Sequence, residues 1–329
     1  MSGVTTRTVG PEEADLRLDR WFRRHFPHVP HGALAKLLRT GQIRVDGKRA
    51  ETGTRLVPGQ TIRIPPLPDP DAVPPKQAPA LDERAAKELK LRTLYRDASV
   101  LVLDKPFGLP VQGGPGIGRS VDHLLDALRF GSDERPRLVH RLDRDTTGVL
   151  VLARTTAAAS RLAAAFRARD AEKTYWAVTV GVPTPREGRV DAPLAKRPGP
   201  RGERVTLVED EGEEGGKIAR AVTDYRVVDH AGKRAAWLEL SPLTGRTHQL
   251  RVHCVALGCP ILGDAKYGGS AAMLAGFPEK LHLHARRLAI AHPEGGRLVV
   301  EAPLPPHMKE SFVALGFEAP RPIKPARVP

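Results

Sequence analysis

Seven prolines fall within residues 65–79, in the run PPLPDPDAVPPKQAP, and this run limits the possible folds more than any other feature of the chain. Each proline fixes φ near about −65° and removes a backbone donor, so the run can be neither helix interior nor central strand. It reads as an extended, semi-rigid connection between two folded parts. The expected organisation is a small unit over residues 16–65, a linker over 66–90 that ends in the helix-prone ALDERAAKELK, and a large unit over 91–315. A chain of 329 residues is long enough for one small and one large core.

In the small unit, Leu18, Trp21 and Phe22 recur at i, i+3, i+4, one face of a helix, while Arg17, Arg20, Arg23 and Arg24 fall mostly off that face. Leu34, Leu37 and Leu38 mark a second helix whose Lys36 and Arg39 point elsewhere, with Gly41 placed to end it. Ile43 and Val45 alternate with Gln42 and Arg44 as in a half-buried strand. Asp46-Gly47 signals a tight hairpin, and Ile62 and Ile64 supply a last short strand. Residues 1–65 carry 12 Lys+Arg against 6 Asp+Glu, a net +6 of the chain's +14. The excess lies on faces that the apolar pattern leaves exposed. Such faces suit a phosphate backbone, and Arg20, Arg24, Lys36, Arg39 and Arg44 are expected to meet it. The other reading is a small helical unit with solvated arginines.

The large unit reads as α+β with a mixed, mostly antiparallel sheet. Thr93–Leu103 reads as strand, turn, strand, and Val121–Phe130 as a helix capped by Ser120. Thr156–Arg169 is an alanine-rich helix with a Thr cap, and His248–Leu257 is a further helix. Thr174–Val180, Ala235–Leu240 and Arg297–Ala302 are strands. Strands outnumber helices without regular alternation, which argues against a doubly wound parallel sheet. Residues 195–217, rich in Gly, Arg and Glu, read as an exposed hairpin or loop, and Gly113–Gly118 as a flexible loop beside the substrate.

Composition removes several classes of function. The two cysteines, Cys254 and Cys259, make neither a disulfide framework nor a Cys-based zinc site, and so few cysteines fit a reducing cytoplasm. The first residues lack an apolar signal core, and Glu12, Glu13 and Asp15 are unlike a transit peptide. No stretch approaches 18 uninterrupted apolar residues, so no membrane span is expected. The strong positive charge instead makes a polyanion a reasonable partner. His282 and His284, with His248 and His253, have no carboxylate or Cys at a recognised metal spacing, so no metal is expected.

The strongest local signal is Leu138-Val139-His140-Arg141-Leu142-Asp143-Arg144-Asp145-Thr146-Thr147-Gly148-Val149-Leu150-Val151-Leu152-Ala153-Arg154. Two apolar runs flank a dense polar cluster, and a polar loop between buried strands is where a rigid scaffold presents a catalytic side chain. Asp143 lies between Arg141 and Arg144, and cations beside a carboxylate favour the ionised form that a nucleophile or base requires. The run by itself is equally compatible with a surface turn held by local ion pairs.

HRLDRDTTGVLVLAR closely resembles the H-R-L-D-x-x-T-S-G-x-L signature of the RluA family of pseudouridine synthases, with Thr147 in place of the usual Ser. Other elements follow in the same order. Leu103–Val111 is similar to N-K-P-x-G-x-x-V with Asp104 for Asn, and Lys173–Val178 to K-x-Y-x-A-x-V. Leu243–His253 is similar to T-G-R-T-H-Q-I-R-V-H, and Gly258–Asp264, Tyr267-Gly268, Leu281–Ala285 and Pro303–Pro305 continue the match. The resemblance spans roughly residues 91–310. The small unit, through its R-L-D start, leucine helix and G-x-I-x-V-D-G hairpin, resembles the α/β RNA-binding domain shared with ribosomal protein S-four.

The resemblance implies the pseudouridine synthase fold and a cofactor-independent isomerase acting on uridine in RNA. The implied catalytic residues are Asp143 as the initiating carboxylate, Tyr175 stacking on the base and serving in proton transfer, and Arg251 as the basic partner of Asp143. Arg141, His140, Arg246 and His248 are implied RNA contacts. The motif serves either a carboxylate that attacks the sugar or one that abstracts its proton. The likeness is greatest to bacterial enzymes of large-subunit ribosomal RNA, with transfer RNA as the other substrate, and a cytoplasmic monomer is expected. Two rivals stand beside this reading. A noncatalytic RNA-binding or ribosome-assembly protein would have no need of Asp143, Tyr175 and Arg251 together. A metal-dependent nuclease or deaminase would need an H-x-E with C-x-x-C or a carboxylate cluster, which the chain lacks.

Overall fold

The structure, a computed structural model, describes residues 3–67, 82–113, 118–197, 204–208 and 218–328. Most of the proline run, the centre of the glycine-rich loop at 114–117, and residues 198–203 and 209–217 of the expected hairpin or loop lie outside the described residues. The chain forms two compact units, Met1–Ala80 and Leu81–Pro329.

The first unit runs β1 (Thr5–Thr8), α1 (Leu18–His25), α2 (His31–Arg39), β2 (Arg44–Val45), β3 (Lys48–Arg49) and β4 (Thr61–Ile64), with strands in the order β1-β4-β2-β3. Most of the set that the periodicity selects lies in its core: Leu18, Trp21, Phe22, Leu34, Leu38, Ile43, Ile62 and Ile64 are buried, and Leu37 is partly buried against them. Asp46 and Gly47 both take left-handed φ, +48° and +73°, as a two-residue hairpin turn requires. The Asp46 carboxylate accepts the Thr61 N–H at 2.7 Å and so ties the turn to β4. The unit begins earlier than residue 16. Thr5–Thr8 pairs with β4 although its side chains are all exposed and carry no apolar alternation.

The second unit contains α3 (Glu83–Leu91), β5 (Thr93–Arg96), β6 (Val100–Lys105), α4 (Val121–Leu124), β7 (Arg137–Leu138), β8 (Thr147–Ala153), α5 (Thr156–Ala168), β9 (Glu172–Val180), β10 (Glu187–Asp191), β11 (Leu194–Arg197) and β12 (Arg204–Leu207). There follow β13 (Val222–Ala231), β14 (Ala235–Pro242), α6 (Gln249–Ala256), β15 (Leu283–Ala291), β16 (Arg297–Glu301), α7 (Pro306–Leu315) and β17 (Ala326–Val328). Helix α3, expected in the linker, belongs to this unit. Asp82 caps it by accepting the Ala85 N–H at 2.9 Å, and Ala85, Ala86 and Leu89 enter the core beneath β6.

Among the described residues, eleven strands form one sheet along the path β10-β13-β14-β9-β15-β8-β6-β5, with β16 and β17 beyond β15 and β7 against β8. It is mixed and mostly antiparallel, as expected. The parallel pairing is β15 with β8, through His284↔Thr147 and Ala285↔Gly148. Every residue of β8 is buried, the mark of a strand covered on both faces. Leu150 and Leu152 join Leu101, Leu103, Leu124 and Leu128 on one face. Val149, Val151 and Ala153 meet Ala158 and Leu162 of α5 on the other. The helix expected over Val121–Phe130 is shorter. After α4 the Leu125 N–H bonds the Asp122 carbonyl three residues back, and the chain continues as a 3-10 turn over Leu125–Leu128.

Candidate active site

Asp143 stands on the loop between β7 and β8, and that loop is fastened from below. Lys105, the last residue of β6, is fully buried. Its Nζ donates to the carbonyls of Pro106 at 2.9 Å, Leu109 at 2.8 Å and Arg144 at 2.8 Å. Three carbonyls need three protons, and an ammonium has three to give. Burial pushes Lys105 down to about 7, opposed by the charges of Asp145, Asp143 and Asp104. On the far side of the loop, the Thr147 hydroxyl lies 2.8 Å from Nδ1 of His284. Gly148 then takes φ of +105°, and a Cβ there would sit 2.2 Å from the Ala285 carbonyl oxygen. Only glycine lets β8 lie this close to β15.

The facing wall is the turn from β14 into α6. Gln249 secures it: its Oε1 accepts from the Thr244 hydroxyl at 2.7 Å and the Arg246 N–H at 3.0 Å. Its Nε2 donates to the Val222 carbonyl and the Thr223 hydroxyl, both at 2.9 Å. His248 follows at φ of +54°, an unfavourable backbone for a residue with a Cβ, and Arg251 lies one turn into the helix. The strain at His248 is offset by a specific placement of its ring, whose Nε2 lies 3.9 Å from Oδ2 of Asp143.

The other imidazole nitrogen is hydrogen-bonded within the protein. His248 Nδ1 lies 2.6 Å from the Tyr267 hydroxyl, which already accepts the Val205 N–H at 3.3 Å. Burial pushes His248 below its ordinary value; the Asp143 charge works against that, and Arg251 and Lys266 reinforce it. Tyr267 also stacks under the guanidinium of Arg251, 4.8 Å from ring centre to Cζ.

Tyr175 completes the cleft from β9. Its ring packs against the leucines under β6 and β8 and against the cluster under α6. A bulge in β15 between Ala285 and Arg287 shifts the register beside it, which keeps Ala285 opposite Tyr175. Burial raises the Tyr175 phenol above its ordinary value, and the Asp143 charge adds to the rise, so the hydroxyl keeps its proton near neutral pH. Asp143, Tyr175, His248, Arg251, Arg141 and Arg246 line one cavity of about 340 Å³, at the small end of the usual range for small-molecule sites.

Two expectations need correction. Arg251 does not hydrogen-bond Asp143: Nε and Nη2 go to Asp264 at 2.8 and 2.6 Å, and Asp143 acts on it through charge alone. His140 is half-buried, does not line the cleft and is engaged within the protein. Its Nε2 accepts the Val151 N–H at 2.8 Å, its ring stacks on Phe166 of α5 at 4.5 Å, and burial pushes it down to about 3. His248, expected as an RNA contact, is the described imidazole that faces the carboxylate. Arg141 and Arg246 are exposed at the cleft, as RNA contacts must be. Arg20, Arg24, Lys36, Arg39 and Arg44 are all exposed on the first unit.

Sequence reasoning does not single out Lys105, Asp264 or Tyr267 as site residues. All three occur inside quoted motifs, but nothing local says that a lysine 38 residues before Asp143, or an aspartate 13 after Arg251, completes the site. The alternating histidines at the start of β15 are hydrogen-bonded within the protein, His282 to Ser311 at 2.7 Å and His284 to Thr147.

Residues 99–256 match the family model described as RNA pseudouridylate synthase. The chain is 33% identical over 327 residues to an RNA pseudouridine synthase of Synechocystis sp. described as uncharacterized, covering 95% of this chain and 91% of that one. It is 35% identical over 294 residues to the ribosomal large subunit pseudouridine synthase C of Rickettsia bellii, covering 88% and 94%. Among solved structures it is similar to human RNA pseudouridylate synthase domain containing 4, with a TM-score of 0.60 at 34% identity, over 72% of this chain and 98% of that one.

Proposed function

Because the chain belongs to the RNA pseudouridylate synthase family, and so isomerises uridine in RNA, we propose that its substrate is large-subunit ribosomal RNA and that Asp143 starts the reaction. The observation that carries the second part is the convergence of Asp143, Tyr175, His248 and Arg251, from three separate segments, on one cavity. The first part is supported by the name of the Rickettsia bellii relative, of which this chain covers 94%, and by the exposed cations of the first unit.

The reaction breaks the bond from C1′ of the ribose to N1 of uracil and makes one from C1′ to C5. C5 loses a proton and N1 gains one, so atoms balance and neither oxidant nor reductant is consumed. A single carboxylate can begin it, by attack on C1′ or by removal of a sugar proton. The target base must leave its stack to reach a cavity of this depth. Arg141, exposed beside Asp143 with no partner among the described residues, is placed to occupy the vacated space. The Tyr175 ring gives the detached uracil a surface to turn on, and its retained proton suits transfer at the ring. The His248 ring and the charge of Arg251 keep Asp143 oriented toward the sugar.

The test is Asp143→Asn assayed on large-subunit ribosomal RNA. Pseudouridine formation should vanish while RNA affinity stays nearly intact. Retained turnover would remove Asp143 from the chemistry. Mapping pseudouridines in cells with and without the protein tests the substrate: losses confined to transfer RNA would overturn the ribosomal reading and leave the isomerase untouched.

A further inference from the structure

A second cavity adjoins the first. It also measures about 340 Å³, and it shares Lys173 and Pro242 with the active cleft. Arg169 and Arg287 stand on its wall, and its carboxylate, Glu172, is largely used elsewhere. Glu172 Oε1 lies 2.6 Å from Arg297 Nη2, which leaves Arg287 at 3.8 Å from the other oxygen. Lys173 is half-buried and, like Arg169, has no carboxylate or hydrogen-bond acceptor in reach among the described residues. A cation withdrawn from water without a partner is unfavourable, and an arriving anion relieves it. Burial, with Arg169 nearby, lowers the Lys173 ammonium below its ordinary value, which a bound anion would reverse.

The placement specifies the anion. Lys173 and Tyr175 are two residues apart on β9 and so point to the same face, about 7 Å from one another along the strand. That is the scale of one nucleotide step along an extended RNA strand. Leu243, 41% exposed, and Pro242 give the same cavity an apolar side on which a ribose or base can rest.

We propose that this second cavity is a nucleotide subsite, which takes the phosphate and ribose next to the target uridine, with Lys173 at the junction and Arg169 and Arg287 gripping the phosphate. The proposal rests on the RNA isomerase reading above. It makes the cleft longer than the reacting nucleotide and gives the enzyme a hold on the strand that does not depend on base identity.

The experiment uses the full chain and a large-subunit ribosomal RNA transcript. Arg169 has φ of +65°, so Arg169→Gly removes the charge without straining the backbone, and Arg287→Gln removes the second. For the double variant, KM and Kd should rise about tenfold, and the slope of log affinity against log salt should become shallower by about 0.7 for each phosphate that is no longer neutralised. The fall in kcat/KM should be carried by KM. Arg287→Lys should restore most of the affinity in the single-site series, and Arg186→Gln, an exposed arginine outside both cavities, should change nothing. An unchanged Kd and salt slope would overturn the subsite, as would a fall in kcat with KM unchanged. If the wild-type chain makes no pseudouridine in this RNA, the substrate reading fails, and the difference in salt slope between variants still decides the subsite.

Discussion

Arg251 gives both of its described hydrogen bonds to Asp264, one turn and a loop further along the chain, and reaches Asp143 only through its field. Asp264 also accepts the Tyr267 N–H at 3.1 Å, so one buried carboxylate orients the guanidinium and the phenol that stacks on it. The pair is buried on both sides, 8% and 0% exposed at the side chains. Removing one partner strands a charge in the interior. Asp264→Asn should therefore cost about 3–5 kcal/mol of stability in urea denaturation. It should also lower kcat by about tenfold or more, because the cation next to Asp143 loses its aim. Wild-type stability and turnover would show that Asp264 does not hold Arg251.

Tyr175 offers a ring and a proton, and two substitutions separate them. Tyr175→Phe keeps the surface and should lower kcat by about 10²–10⁴ with KM little changed, as expected for loss of a proton-transfer group. Tyr175→Leu should raise KM as well. Steady-state kinetics on RNA reads both, and an unchanged kcat in the Phe variant would restrict Tyr175 to stacking.

The elements around these residues are legible in the sequence because their signals are local. The i, i+3, i+4 pattern of Leu18, Trp21 and Phe22, the Asp46-Gly47 turn and the VLVLA run of β8 each carry their own periodicity. The polar loop that presents Asp143 is visible for the same reason. Side-chain partners are a different matter. Whether Arg251 turns to Asp143 or to Asp264 depends on the left-handed turn at Gly263, whose Cβ would meet the Lys280 carbonyl oxygen at 2.0 Å. His140 reads as an RNA contact until α5 folds back and sets Phe166 on its ring, 26 residues away. Strand β1 is invisible because an edge strand with four exposed side chains needs no apolar alternation.

The buried histidines set the acid limit of the second unit. Burial pushes His282 down to about 4 and His284 down to about 3. In the unfolded chain both titrate near about 6.5. Between those values the unfolded state binds more protons than the folded one, so stability falls as pH drops below about 6.5 and is level above it. From pH 7 to pH 5 each should remove about 2 kcal/mol. Urea midpoints across that range measure the loss, and His282→Gln should flatten part of it. A level profile down to pH 5 would contradict the burial of both rings.

The exposed cations of the first unit make a separate prediction. Replacing Arg20, Arg24, Lys36 and Arg39 together by Gln should weaken RNA binding and reduce the salt slope by up to about 0.7–0.9 for each phosphate they neutralise. Thermal stability should change little, because all four side chains are exposed. Filter binding at several salt concentrations checks it, and an unchanged slope would mean that these side chains are merely solvated.

The parallel contact between β8 and β15 has a consequence in time. Thr147 and His284 are 137 residues apart, and nothing between them can replace the strand that supports Gly148 and flanks Tyr175. A ribosome adding about 5–20 residues per second takes on the order of ten seconds to travel that distance. Through that interval the nascent chain already carries Asp143 and its first, basic unit, but the central strand of its sheet has yet to be made. The basic first unit is thus complete well before the sheet that presents Asp143.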